Sequence, residues 1–332
     1  MKIITRAACR RLAWLFAFLL VGGTVAWWYL IRMPGTSYEG APVAPDATLE
    51  DELRRDVKRL AGGIGSRCVH TPEGLAAAAD WIEGQLKAAG YAVARQVFDV
   101  DGVACANVEA ALPGGEEIVV VGAHYDSIPG CPAANDNGSG VAAGLALARR
   151  FAGRKPERTL RFVFFCNEEP PWFQTDDMGS LRYARRCKER GEAVVAMLSL
   201  ETMGYYTDEP GSQEYPIPAL QAAYGDKGNY VGFVGNLASG DLVRDALKVF
   251  RDHAKVPSHG VVMLEAVPGV GWSDHWSFWQ CGYPALMVTD TAPYRYPHYH
   301  EVTDTPDQLT YAPFARVVEA LVPVVEHLAR TR

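Results

Sequence analysis

Hydrophobic and polar positions along the chain follow three rhythms. Residues 12–31 (LAWLFAFLLVGGTVAWWYLI) carry no charge over twenty positions, about the length a helix needs to cross roughly 30 Å of hydrocarbon. Residues 71–90 (TPEGLAAAADWIEGQLKAAG) are punctuated as a helix, with Thr71 at the cap, Pro72 in the first turn, Glu73 early and Gly90 as the stop. Residues 91–100 and 103–112 predict half-buried strands. The continuous apolar runs at 117–123 (EIVVVGA), 159–166 (TLRFVFFC) and 193–200 (AVVAMLSL) predict strands covered on both faces. Further strands are predicted at 230–234 and 284–289, with helices at 141–151, 180–189, 241–254 and 313–330. Strands alternating with helices imply an α/β fold: a single domain built on a mostly parallel, mixed and twisted sheet with helices on both faces. One transmembrane helix precedes it.

The flanks of the first apolar run set its orientation. Lys2, Arg6, Arg10 and Arg11 precede it, only Arg32 follows closely, and Trp27, Trp28 and Tyr29 stand where an interfacial aromatic belt falls. The run is longer than the apolar part of a signal peptide, and no small-x-small site follows it directly, so it reads as an uncleaved anchor. Residues 1–11 are then cytoplasmic, 12–31 span the membrane, and 32–46, rich in Pro, Gly and Ala, form a tether. Residues 47–332 form the folded domain, outside the cytoplasm on the periplasmic or extracellular side.

Composition narrows the partners. At 332 residues, 48% hydrophobic and 21% charged, the chain is neither disordered, collagen-like nor a disulfide-stapled mini-protein. A net charge of −7, with no Lys/Arg block able to follow a phosphate backbone, argues against nucleic acid and for small molecules or peptides. Cys9 precedes the span and Cys68, Cys105, Cys131, Cys166, Cys187 and Cys281 follow it. No CxxC occurs, so both disulfide pairing and free buried thiols remain open.

Open α/β sheets gather reactive groups past the carboxyl ends of their strands. At those places stand His124 and Asp126, Glu168 and Glu169, Glu201, Asp290, and His298 and His300, with Asp136 in the Gly-rich ANDNGSG segment. Each alone is explained by an ordinary structural role. Together, two imidazoles and three carboxylates suit zinc, which takes His nitrogens and carboxylate oxygens at about 2.0–2.2 Å. Two divalent ions bring four positive charges, matched by Asp136, Glu169, Glu201 and a bridging hydroxide, so a two-ion cluster closes at neutrality. Glu168 is left over, next to ligand Glu169, as a general base.

The segments GAHYDS, ANDNGSGV, FFCNEEP, LETMG, SDH and YHEVTDTPD resemble the zinc-dependent aminopeptidase family of aminopeptidase Y and the secreted bacterial leucyl aminopeptidases, with glutamate carboxypeptidase and glutaminyl cyclase as relatives. The likeness runs from Thr71 to the C-terminus. It implies two Zn²⁺ per chain, one held by His124 and Glu201, the other by Glu169 and His300, with Asp136 bridging. It also implies Glu168 as the base and Asp126 as the carboxylate that fixes the His124 tautomer. His300 rather than His298 matches the motif, and His275 of SDH reads as structural or as support for a ligand. Well-studied members often carry Asp where this chain has Glu201, one methylene longer.

The implied reaction is removal of N-terminal residues from peptides by a metal-bridging hydroxide with Glu168 as general base. Pro170 to Phe173, Trp272 and the loop from Tyr294 to Tyr299 are candidates for an apolar side-chain pocket. Two other readings carry their own marks. A glutaminyl cyclase shares HYDS and the paired glutamates but is a single-zinc acyl transferase. A non-catalytic ectodomain on the same fold predicts gaps among the ligands. Neither GxSxG nor HExxH occurs, which leaves serine hydrolase and helix-borne zinc protease chemistry without support.

Overall fold

A computed structural model describes residues 6–330; Lys2, at the head of the basic N-terminal stretch, lies outside them. Helices α1 (Arg6–Ile31), α2 (Ala47–Val57) and α3 (Pro72–Ala88) lead into strands β1 (Val93–Val100), β2 (Val103–Leu112) and β3 (Gly115–His124). There follow α4 (Gly140–Phe151), β4 (Arg158–Phe165), α5 (Gly179–Glu189), β5 (Ala193–Glu201), α6 (Pro218–Tyr224) and β6 (Val231–Asn236). The chain closes with α7 (Gly240–His253), β7 (Ser258–Met263), α8 (His275–Gln280), β8 (Ala285–Thr289) and α9 (Tyr311–Leu328).

The strands form one sheet in the order β1-β2-β4-β3-β5-β8-β6-β7. β4, β3, β5 and β8 are mutually parallel and make its centre. β1 and β2 pair antiparallel, and β2 runs antiparallel to β4. At the other side β6 is antiparallel to β8 and parallel to β7. The sheet is therefore mixed around a parallel centre, as the strand and helix alternation implied.

Successive side chains of a strand point to opposite faces, and both faces here are apolar. Val119, Val121, Leu160, Phe162, Leu198 and Leu200 belong to one buried cluster, with residues of α2, α3, α4, α7 and α9. Ile118, Val120, Val163, Phe165 and Met197 belong to a second, with residues of α5 and α8. Double coverage is why these strands read as unbroken apolar runs.

α2, α6, β7 and α8 were not read from the sequence. α2 is entered by Asp46, whose Oδ1 accepts the Thr48 N–H at 2.9 Å, and it buries Leu49, Leu53 and Val57. All six cysteines after the first helix are free thiols. The stretch Arg10–Ile31 of α1 is long and apolar enough to cross a bilayer, with no part of its apolar window buried in the protein.

Candidate metal centre

The parallel centre of the sheet brings four carboxyl ends to one edge. β3 ends on His124, with Asp126 just beyond; β4 leads into Glu168 and Glu169; β5 ends on Glu201; β8 leads through a loop to His300. Asp136 enters from the segment between β3 and α4.

Five of these side chains converge. His124 Nε2 lies 3.2 Å from Asp136 Oδ1 and 3.3 Å from Glu201 Oε2. His300 Nε2 lies 3.1 Å from Asp136 Oδ2 and 3.3 Å from Glu169 Oε2. Asp136 thus turns one oxygen to each imidazole, dividing the cluster into the groups His124, Asp136, Glu201 and Asp136, Glu169, His300. Glu168 flanks the first group, its Oε2 3.8 Å from His124 Nε2.

The donor geometry fits metal ions better than mutual hydrogen bonding. His124 Nε2, His300 Nε2, Asp136 Oδ1 and Glu169 Oε1 are buried without a hydrogen-bond partner, despite their close approach. Buried polar atoms are ordinarily satisfied. Donors bound at about 2.0–2.1 Å to one tetrahedral ion stand about 3.3 Å apart, which is the spacing found here.

Charge points the same way. Burial opposes a proton on His124, yet Glu201, Glu168 and the adjoining aspartates raise its pKa well above the ordinary imidazole value. His300, likewise opposed by burial, is raised to about 10 by Asp136 and Glu169. Burial pushes Glu169 up to about 7, with Asp136 adding to the rise. Glu168 is raised well above the carboxylate range by burial and by Glu201, Glu169 and Asp274, against the pull of His124. For Asp136, burial is outweighed by His124 and His300, which hold its carboxyl below the ordinary value. A pocket this rich in carboxylates draws cations.

A ring of hydrogen bonds fixes the donors. Asp126 takes the Glu168 N–H at 3.1 Å and the Glu169 N–H at 3.0 Å, and its Oδ1 lies 3.3 Å from His124 Nδ1. Ser273 Oγ donates to Glu201 Oε2 at 2.6 Å. Asn137 Nδ2 bonds the Leu200 carbonyl at 2.8 Å, and its Oδ1 accepts the Thr202 N–H. Asp304 accepts the backbone N–H groups of Asn135 and Asp136. Arg67, fully buried, donates to the carbonyls of Tyr125, Pro132 and Ala133 at 2.6, 2.7 and 2.8 Å, tying the His124 loop to the Asp136 loop.

The other candidates stand apart. His275 Nε2 lies 2.8 Å from the Val270 carbonyl and His298 Nδ1 lies 2.9 Å from Thr303 Oγ1. Asp290 accepts from Asn135 Nδ2 and the Tyr205 N–H. The sequence alone assigns no role to Ser273, Asn137, Asp304 or Arg67, although the first three lie in the SDH, ANDNGSGV and YHEVTDTPD motifs.

An apolar cavity, partly open to solvent, is lined by Glu201 and Tyr299 together with Tyr230, Phe233 and Met287. Trp272 and Tyr294 line it as the sequence suggested, whereas Trp172 and Phe173 do not.

The chain is 32% identical over 293 residues to the uncharacterized protein YfbL of Escherichia coli (strain K12), covering 86% of this chain and 90% of that protein. It is 26% identical over 298 residues to a probable leucine aminopeptidase of Arthroderma otae, covering 82% and 70%. Its fold matches BSAP, a zinc aminopeptidase from Bacillus subtilis, with a TM-score of 0.67 at 13% identity over 85% of this chain and 95% of that one. It also matches a Bacteroides thetaiotaomicron glutaminyl cyclase, with a TM-score of 0.64 at 18% identity over 86% and 99%. The model of peptidase family M28 matches residues 107–325, a stretch that takes in all five converging donors, and this chain belongs to that family of metallopeptidases.

Proposed function

We propose that the protein is an aminopeptidase that hydrolyses the first peptide bond of peptides with two zinc ions. His124, Asp136 and Glu201 would hold one ion, and Asp136, Glu169 and His300 the other. The observation that carries this reading is Asp136, whose Oδ1 and Oδ2 face two imidazoles at 3.2 and 3.1 Å. When bound, the ions supply Lewis acidity that acidifies a water and polarises the scissile carbonyl.

The chain's own residues do the rest. Glu168, buried and flanking the His124 group at 3.8 Å, takes a proton from the attacking water as a carboxylate and passes it to the departing amine. Asp126 holds His124 in the tautomer that presents Nε2 to the centre, and its bonds to the backbone of Glu168 and Glu169 keep base and ligand in register. The apolar cavity beside Glu201 receives the first side chain of the peptide. α1 is the membrane anchor, with Arg6, Arg10 and Arg11 on the cytoplasmic side and the domain from Ala47 onward outside.

The test is turnover by the purified full-length protein, with bound metal quantified alongside. Release of free N-terminal amino acids, abolished by a chelator and restored by zinc, supports the reading. Conversion of N-terminal Gln to a cyclic product with about one zinc per chain would replace it with a glutaminyl cyclase.

A further inference from the structure

We propose that the N-terminal helix is a rigid mount that seats one end of the sheet on the lipid surface and turns the metal centre away from it. This rests on the reading that α1 spans the bilayer.

The segment expected to be a tether is fastened along the β7 edge. Arg244 Nη2 donates to the Tyr29 carbonyl at 2.8 Å, and its guanidinium lies 4.3 Å from the centre of the Tyr29 ring. Arg251 Nη1 donates to the Pro34 carbonyl at 2.9 Å, and the Ser258 N–H to Ser37 Oγ at 2.9 Å. Met33 lies so close over Gly260 that an added Cβ there would stand 2.9 Å from its Cγ. Trp27, Leu30 and Ile31 pack against the second apolar cluster, which includes Met263.

These contacts give the segment a direction. Tyr29 sits by the first turn of α7, Met33 by Gly260 and Ser37 by Ser258, so the chain climbs from the Met263 end of β7 to its Ser258 end. β7 is parallel to β6, which is antiparallel to β8. The Met263 end therefore lies opposite the carboxyl ends of β3, β4, β5 and β8, where the metal ligands stand.

The end where the helix arrives exposes two leucines, beside an Asn236 to Glu265 hydrogen bond of 2.8 Å. Asn236 pairs with Met263, and the residues that follow them, Leu237 and Leu264, are 52% and 60% exposed. Two leucines at one sheet end, continuous with a helix bearing exposed Trp28 and Tyr29, suit a lipid interface. At 1.5 Å per residue the uncharged turns of α1 from Leu12 to Ala26 cover about 22 Å, short of the roughly 30 Å of hydrocarbon, so the last turn of α1, which packs against the domain, is needed to complete the crossing. With Trp27, Leu30 and Ile31 already packed on the domain and Tyr29, Pro34 and Ser37 bonded to it, no free chain remains to hold the domain off the membrane.

The experiment uses the full-length chain in vesicles of phosphatidylethanolamine and phosphatidylglycerol, with Cys9 and Cys281 replaced by Ser. Nitroxide labels go on Leu237→Cys, Leu264→Cys and, as the far end, Val302→Cys, two residues past His300 and 68% exposed. Labels at 237 and 264 are expected to be relaxed more by oxygen than by a water-soluble nickel complex, and the label at 302 the reverse. Combining Arg244→Ala with Arg251→Ala should shrink the difference between the two ends several-fold. Equal nickel accessibility at both ends, in protein that stays with the membrane through an alkaline carbonate wash, overturns the mount while leaving the anchor in place. Protein released by the wash overturns the anchor, and the mount with it.

Discussion

His124 and Asp126, two residues apart at the end of β3, face each other, with Nδ1 3.3 Å from Oδ1. The same carboxylate accepts the backbone N–H groups of Glu168 and Glu169, so one side chain sets both an imidazole and the loop bearing the proposed base. Asp126→Asn keeps the shape but weakens the acceptor that both elements need. Zinc affinity or kcat/KM should fall by about 10- to 100-fold; competitive chelation and steady-state kinetics check this.

The proposed base Glu168 allows catalysis to be tested apart from metal binding. Its carboxylate flanks the His124 group at 3.8 Å without belonging to either metal-holding group. Glu168→Gln should retain the wild-type zinc content while kcat falls by about 10² to 10⁴, the range for a lost acid–base group. Full activity in that variant would remove Glu168 from the role.

Glu201, the longer of the side chains proposed to hold the first ion, is steadied by a hydroxyl. Ser273 donates to Glu201 Oε2 at 2.6 Å and sits 3.0 Å from Ser199 Oγ. Hydrogen bonds to charged groups contribute about 1.5–3 kcal/mol, so Ser273→Ala should weaken one zinc about tenfold or more. The other zinc should remain in place, giving a biphasic chelator titration where wild-type protein shows closer-spaced steps.

How much of this was legible in the sequence follows from what each residue touches. β3, β4 and β5 read clearly because burial on both faces leaves few polar positions between their ends, and the donors read clearly because they sit where those runs stop. β7 did not, since SHGVVM carries His259 and Gly260 at its start and is only half covered. α8 is six residues of mostly aromatic sequence without a helical period. Arg67, Asn137 and Asp304 act through hydrogen bonds to residues dozens of positions away, and local sequence holds no trace of such partners.

Away from the centre, His259 gives stability a pH dependence. It stacks on Tyr224 with centroids 4.4 Å apart and meets the Tyr230 ring edge-on. Burial, aided by Arg251 and Arg295, lowers its pKa to about 4. The unfolded chain takes up this proton first, so the contribution is complete above about pH 6.5 and is lost as pH falls toward 4, by on the order of 3 kcal/mol. Urea midpoints at pH 7 and pH 4.5 should differ less in His259→Gln than in the wild-type protein.

The central claim is that one aspartate joins two metal positions. It is tested most directly by counting zinc in the purified wild-type protein and in Asp136→Ala after dialysis against the free metal. The account predicts two ions per chain in the first and loss of both in the second. A wild-type content of one, or an Asp136→Ala protein that keeps two, would contradict it.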